Sequence, residues 1–227
     1  MAKGKVEAPV EVYDDMYESE TAYSRPYNKS LYYPMFLKVL EELKRLSTTN
    51  VLEVGCGGGI FAQMLIEHSD IQYRGFDFSV NGIKKAMERN AGSDLFSIGN
   101  ALDEASYFGP FDTIVCTEVL EHIERDLDVV RLWPHGVNCV CSVPNFDYPT
   151  HVRVFKDESD VLNRYGELID IDSITRVARP LFKGQTLQGY FQELRWKRDK
   201  PARFLAMLGY KVFENYAGWF VFSGKRK

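Results

Sequence analysis

Only four cysteines occur in the 227 residues, Cys56, Cys116, Cys139 and Cys141, and no two of them form a C-x-x-C pair. That leaves no framework for zinc-ribbon or dithiol redox chemistry. All four fall in or beside apolar segments, where a free thiol behaves as a small apolar side chain and suits a reducing compartment. No apolar run approaches the ~18 residues of a membrane-spanning helix. The polar start, Met1 to Asp15, is broken by Pro9 and has no signal-peptide core. A cytoplasmic protein without a membrane partner is therefore expected, and Met1 to about Pro9 is expected to lack order. Positive charge is not in excess either: 28 Lys and Arg stand against 32 Asp and Glu, a net charge of −4. A nucleic-acid partner is not expected on that balance. The one basic cluster, Arg195-Trp196-Lys197-Arg198 with Lys200 and Arg203, reads first as a solvated helix start and second as a contact for an acidic substrate or RNA backbone. Internal repeats and low-complexity blocks are absent. The length suits one α/β domain with additions, large enough to bury roughly three-quarters of its unfolded surface.

The stretch Val51 to Gly59 reads Val-Leu-Glu-Val-Gly-Cys-Gly-Gly-Gly. Val51, Leu52 and Val54 suit a buried strand, and an amphipathic helix follows from about Ile60 to His68. A glycine turn between strand and helix lets a ligand lie against the backbone, because no Cβ stands in the way. A dinucleotide fingerprint would place its third glycine at Ile60, where a branched side chain obstructs the pyrophosphate seat. Glu53 sets a negative charge near the same place, and no G-K-[ST] follows to make a P-loop. A cationic ligand without phosphates fits better.

The motif resembles the first motif of the class I S-adenosylmethionine-dependent methyltransferases of small-molecule type, [VIL]-[LV]-[DE]-[VI]-G-x-G-x-G, and Val51 to Gly59 meets it at every position. The resemblance implies that Gly55, Cys56, Gly57 and Gly59 cradle the methionine part of the cofactor, with Glu53 receiving its ammonium. Asp77 ends the apolar-rich segment Ile71 to Phe76, 22 positions after Gly55, where an acidic residue binds ribose hydroxyls. Phe78 is then expected on the adenine face. Gly99-Asn100-Ala101 follows the third apolar segment, and Asn100 stands where that family often has an acidic residue facing the adenine amino group. Phe111 to His122, Phe-Asp-Thr-Ile-Val-Cys-Thr-Glu-Val-Leu-Glu-His, resembles the family's fourth strand and the loop facing the methyl, which brings in Thr117 and Glu118. Cys139 to Asn145 resembles the fifth strand and its exit. Product S-adenosylhomocysteine follows from the same implication.

Alternation of strands and helices predicts a Rossmann-like, doubly wound parallel sheet, and the resemblance implies seven strands, mostly parallel with one antiparallel edge strand. Strands are expected at 49–54, 71–77, 94–98, 111–116 and 137–142, with helices at 58–68, 79–90 and about 122–132. A further helix, 199–208, and two strands, 210–216 and 219–225, close the chain. Residues 1–48 read as an N-terminal aromatic extension, with Tyr13, Tyr17, Tyr23, Tyr27, Tyr32 and Tyr33, plus a cover helix over Ser30 to Leu46. Residues 49–227 read as the methyltransferase domain, with an insertion over about 146–198. Within it His151 to Phe155 reads as a short strand, 157–164 as a helix and 167–177 as a strand. Long insertions in compact domains tend to serve function, and this one leaves from a strand's carboxyl end. It is read as a substrate lid, with Tyr13 to Tyr33 as the opposite wall.

A sulfonium methyl is already activated, so the protein must align the acceptor and exclude water. A base is needed where the acceptor carries a proton, and His122 is the first choice, His151 the second. Arg25 is expected to pair with the cofactor carboxylate, with Tyr17 and Tyr27 covering it. Glu118 and Glu121 read either as loop carboxylates favoured by a helix start or as contacts to a cationic acceptor. The leading expectation is methyl transfer to a small molecule, at oxygen before nitrogen, by a monomer or homodimer without a metal. Two alternatives stay open. Glu118-x-x-Glu121-His122 with a later histidine resembles the metal site of small-RNA 2′-O-methyltransferases, which would take a magnesium- or manganese-class ion. A catalytically silent cofactor-binding subunit is the other.

Overall fold

The computed structural model describes residues 6–19, 25–91, 94–178 and 217–227. Seven strands form one sheet in the order β3-β2-β1-β4-β5-β7-β6. They are β1 (Asn50–Val54), β2 (Gln72–Asp77), β3 (Phe96–Ile98), β4 (Thr113–Thr117), β5 (Asn138–Pro144), β6 (Ile169–Ala178) and β7 (Gly218–Arg226). β1 to β5 pair in parallel, and β7 runs antiparallel to both β5 and β6. The expected antiparallel strand is thus present at this end of the sheet, with β6 outside it.

Side-chain alternation along the strands divides the core in two. Val51, Val115, Val140, Trp219 and Val221 face one layer. It is covered by α2 (Tyr33–Arg45), α3 (Ile60–His68) and α4 (Val80–Arg89). Leu52, Val54, Ile114, Cys116, Cys139, Cys141, Phe220 and Phe222 face the other, under α5 (Asp126–Leu132) and α6 (Glu158–Tyr165). Glu53 shares the parity of Val51 and so points into the first layer. All four cysteines are buried and free. No helix among the described residues is long and apolar enough to cross a membrane.

Tyr33 to Arg45 forms a helix because Met35, Phe36, Val39, Leu40 and Leu43 recur on one face and Pro34 suits the first turn. Its buried Glu42 is the tie to β7. Burial pushes this carboxyl up, but hydrogen bonds from Lys38, Arg45 and Ser223 outweigh it and hold it down at about 2.

Several expectations need correction. Residues 169–178 are not part of a lid: they are β6, a strand of the sheet itself, so only part of the 146–198 span is additional to it. The strand expected at 210–216, the helix at 199–208 and the Arg195–Arg203 cluster lie outside the described residues. His151 to Phe155 is not a strand but an irregular segment, tied by Val152 N–H to Glu121 O (2.9 Å) and Phe155 N–H to Pro144 O (3.2 Å). The helix expected from about residue 122 begins at Asp126, after a 3₁₀ turn at Leu120–His122. The aromatic extension holds a helix of its own, α1 (Val10–Ser19). Asp14 pins α1 to the start of α4, accepting from Ser79 Oγ (2.5 Å) and Asn81 N–H (3.1 Å). Ahead of α1, Glu7 and Glu124 exchange backbone-to-carboxylate bonds of 3.2 and 2.9 Å, so order begins before Pro9. Tyr23 lies outside the described residues.

Candidate functional site

The carboxyl ends of β1, β2, β4 and β5 emerge along one edge of the sheet, and the strand order reverses between β1 and β4. Open α/β sheets bind ligands at such an edge. Here the turn after β1 is built from left-handed backbone: φ is +73° at Gly55, +50° at Gly57 and +67° at Gly59. At the first two, a neighbouring side chain packs where a Cβ would stand. At Gly55 it would stand 2.3 Å from Val119 Cγ2, and at Gly57 2.3 Å from the Tyr17 hydroxyl. Gly59 differs. A Cβ there would meet Asn90 and Ala86, so this glycine serves the packing of α3 on α4, and it lines neither cavity described below.

Two cavities flank the turn. The larger, of about 320 Å³, is lined by Glu53, Gly55, Cys56, Gly57, Thr117, Glu118 and Arg25, by His122 and His151, and by Tyr13, Tyr17, Tyr32, Phe146 and Tyr148. The smaller, of about 140 Å³, is lined by Gly55, Asp77, Phe78, Asn100, Ala101, Glu118 and His122, again with Tyr13 and Tyr17. The two tyrosines of α1 thus border both. Tyr13 lies 5.1 Å from Phe78 and edge-on to His122 at 5.7 Å, and burial pushes its phenol up to about 12. Tyr27, expected as part of this cover, is elsewhere: its hydroxyl bonds His68 Nε2 at 2.7 Å and fastens the extension to α3. His68 therefore has a structural partner that the sequence did not disclose.

The acidic residues are held in distinct ways. Asp77 is 5% exposed and spans the loop, accepting from Gly57 N–H (2.8 Å) and Ser79 N–H (2.9 Å). Burial raises its carboxyl to about 6, against the pull of those two bonds. Glu53 is 3% exposed and accepts from the Tyr73 hydroxyl at 2.5 Å. Burial raises it to about 8, with Asp77 adding to the shift and Tyr73 opposing it. Asn100 Oδ1, expected to face an adenine amino group, accepts from Leu102 N–H at 2.9 Å, leaving one lone pair for a ligand.

Glu118 adopts φ +57°, a left-handed conformation costing a non-glycine residue about 1–2 kcal/mol. Bonds to Ser142 and Trp219 hold it. Ser142 Oγ accepts from Glu118 N–H (3.1 Å) and donates to Oε1 (3.0 Å), while Trp219 Nε1–H donates to Oε2 (2.6 Å). Trp219 lies 101 residues away on β7, and no local signal in the sequence points to it. The following turn carries Glu121 and His122. Arg153 clamps it by donating to the carbonyls of Leu120 (2.5 Å), Ile123 (2.6 Å) and Glu124 (2.9 Å). Arg153 is itself anchored on buried Asp126, which also accepts from Arg164 and from Tyr165 Oη (2.8 Å).

His122 and His151 stand ring to ring, with centroids 4.8 Å apart and planes at 76°. His122 Nδ1 faces Thr150 O at 3.0 Å, and His151 Nδ1 faces Phe146 O at 3.2 Å. A carbonyl only accepts, so each neutral ring carries its proton on Nδ1 and its lone pair on Nε2. Burial, then the neighbouring His151, lowers His122 to about 4, so it is neutral at physiological pH. Beneath them Glu121 is fully buried, and burial and the charge of Glu118 hold its carboxyl well above the usual range.

A family model described as "Methyltransferase domain" matches residues 27–193. A ubiquinone biosynthesis O-methyltransferase of Vibrio campbellii is 32% identical over 97 residues, which is 41% of this chain and 41% of that protein. The chain therefore matches well under half the length of this relative. Among solved structures, the N-methyltransferase NodS from Bradyrhizobium japonicum, in complex with S-adenosyl-L-homocysteine, aligns with a TM-score of 0.51 and 17% identity, covering 85% of each chain. Phosphoethanolamine N-methyltransferase 2 of Haemonchus contortus, in complex with S-adenosyl-L-methionine, aligns with a TM-score of 0.54 and 15% identity, over 83% of this chain and 52% of that one. Likeness at such identity establishes the fold.

Proposed function

The chain belongs to the methyltransferase domain family, and from that premise we propose that it transfers a methyl group from S-adenosylmethionine to an oxygen of a small-molecule acceptor. The observation that carries this is one cavity of about 320 Å³ walled on one side by the glycine turn and Glu53, and on another by His122 and His151. The residues fit the cofactor. Gly55 and Gly57 bring backbone without a Cβ to the wall of the larger cavity, and Glu53 is a buried carboxylate placed to receive an ammonium. Asp77 presents its remaining lone pairs to the smaller cavity, beside Phe78, Asn100 and Ala101. In this assignment Cys56, Thr117 and Glu118 shape the passage between the two parts, and Arg25 takes the cofactor's carboxylate. Gly59 supports the turn from behind.

When bound, S-adenosylmethionine supplies a methyl carbon on a sulfonium, ready for in-line attack. The protein's task is alignment and handling of the acceptor's proton. Tyr13 and Tyr17 close the site from α1 and keep water from the transfer. Phe146, Tyr148 and Tyr32 offer flat apolar walls, which suit a planar acceptor or the apolar face of a sugar. His122 and His151 present Nε2 lone pairs where a hydroxyl proton must leave, which favours oxygen over an already unprotonated amine. The curated relative's name, an O-methyltransferase of ubiquinone biosynthesis, agrees with an oxygen acceptor. Four buried free thiols support a cytoplasmic location.

The test has two stages. Isothermal titration with S-adenosylmethionine and S-adenosylhomocysteine is expected to give one site per chain; no binding of either overturns the reading. Transfer of labelled methyl is then measured across phenols, sugar hydroxyls and amines. Turnover on amines alone overturns the oxygen assignment, and turnover on none favours a silent cofactor-binding subunit.

A further inference from the structure

We infer that Tyr73 is a positioning residue for the cofactor: from β2 its hydroxyl holds Glu53 Oε2 and leaves Oε1 to the ammonium. The inference rests on the cofactor reading above. Glu53 and Gly75 are register partners on β1 and β2, and Tyr73 lies two residues before Gly75, on the same face of the sheet. The ring reaches Glu53 across Gly75. A Cβ at Gly75 would stand 2.3 Å from the Tyr73 hydroxyl and 2.8 Å from Cys56 Cβ. Gly75 is a strand residue without positive φ, so space and not backbone conformation calls for glycine here. Phe96 of β3 packs against the ring, with centroids 5.6 Å apart. Tyr73 is buried, and its hydroxyl ends 2.5 Å from Glu53 Oε2.

Tyr73 lines neither cavity, whereas Glu53 borders the larger one, so the tyrosine acts through the carboxylate. Burial, then the charge of Glu53, holds its phenol well above the ordinary range. It therefore stays protonated and serves as a fixed donor. Donation to a carboxylate favours the ionised form, against the burial that raises Glu53 to about 8. That ionised form is the one an ammonium needs. The other titratable groups beside Glu53 are Asp77 of β2, Cys56 of the turn and Cys116 of β4. Burial keeps both thiols protonated, so Asp77 is the neighbour that opposes the charge. Arg25, Glu118 and His122 line the cavity that Glu53 borders. A carboxylate accepts at both oxygens, so the bond to Oε2 and a bond from the ammonium to Oε1 are compatible. Phenylalanine in place of Tyr73 would keep the packing and leave the carboxylate to face burial without its donor.

Two readouts separate this role from packing. In protein labelled with ¹³C at the glutamate carboxyls, the Glu53 resonance is identified by its loss in Glu53→Gln. Its titration midpoint is then followed by nuclear magnetic resonance without cofactor. Tyr73→Phe is expected to move that midpoint up by about one pH unit. Affinity of Tyr73→Phe for S-adenosylhomocysteine is expected to be about tenfold weaker than wild type at pH 7 and within about threefold of it at pH 9, because high pH restores the charge that the hydroxyl secured. Thermal melting establishes that the variant is folded. A midpoint unchanged or lowered in folded Tyr73→Phe overturns the inference, as does unchanged affinity at pH 7. A loss of equal size at both pH values also overturns it, because packing alone then explains the residue. A raised midpoint in Tyr73→Phe, where wild-type protein binds no S-adenosylhomocysteine, supports the hold of Tyr73 on Glu53 and overturns only the cofactor reading.

Discussion

Cofactor affinity is expected to depend on pH through Glu53. This carboxyl sits in the middle of the sheet, 3% exposed, between neighbours on β2 and β4. Burial raises it to about 8, with Asp77 reinforcing the shift and the Tyr73 hydroxyl opposing it. At pH 7 only about one protein in ten then carries the charge needed to receive an ammonium. Binding the ammonium favours the ionised form, so the proton must leave as the cofactor arrives. The sign is fixed by linkage: affinity for S-adenosylhomocysteine rises with pH while free Glu53 is protonated, and levels off above about pH 8. The slope approaches tenfold per pH unit between pH 6.5 and 7.5, about 1.4 kcal/mol. Asp77, raised to about 6, adds curvature only at the lower end. Calorimetry in two buffers of different ionisation enthalpy reads the released proton directly, and close to one per site is expected near pH 7. Glu53→Gln serves as the control, with weaker affinity and a flat profile over the same interval. An affinity independent of pH from 6.5 to 7.5, or the same slope in Glu53→Gln, refutes the assignment.

Further expectations follow from the same geometry. Gly57→Val forces a branched residue to φ +50° with its Cβ against the Tyr17 hydroxyl, and is expected to weaken S-adenosylhomocysteine binding at least 100-fold with circular dichroism unchanged; normal binding removes the loop from the site. His122→Ala is expected to lower kcat by about 10²-fold or more while S-adenosylhomocysteine affinity stays within a few-fold, and unchanged turnover excludes a role at the acceptor. Trp219→Phe keeps the ring but deletes the 2.6 Å bond to Glu118, with an expected loss of about 1.5–3 kcal/mol in denaturant unfolding and a fall in kcat as the strained loop relaxes. A variant as stable and active as the parent shows that the Trp219 bond does not hold Glu118 in place.

Contacts between chain neighbours were the legible part. The turn after β1 could be read because positive φ at Gly55, Gly57 and Gly59 demands glycine locally, and Asp77 because it ends its own strand. The sheet was legible for the same reason over β1 to β5, where each strand carries its own apolar run. β6 was misplaced into a lid because its side chains are mostly half-buried at the sheet edge, which blurs the apolar signal. α1 was missed as a helix since none of its residues is buried and its register is set by Asp14 on the start of α4. Tyr27 was assigned to the ligand although it spends its hydroxyl on His68, a pairing that spans 41 residues.

Sequence alone determined the glycine-turn end of the larger cavity: a strand, a glycine turn and an acid at the next strand's end are specified by backbone sterics within one βαβ unit. Tertiary structure decided its histidine end. Glu118 is strained only because Ser142 and Trp219 hold it, and Glu121, His122 and His151 meet only because Arg153 and Val152 bind the intervening loop. Whether a carboxylate there is solvated, bonded or stranded depends on what the fold places around it, since burial and hydrogen-bond supply are properties of packing and not of residue type.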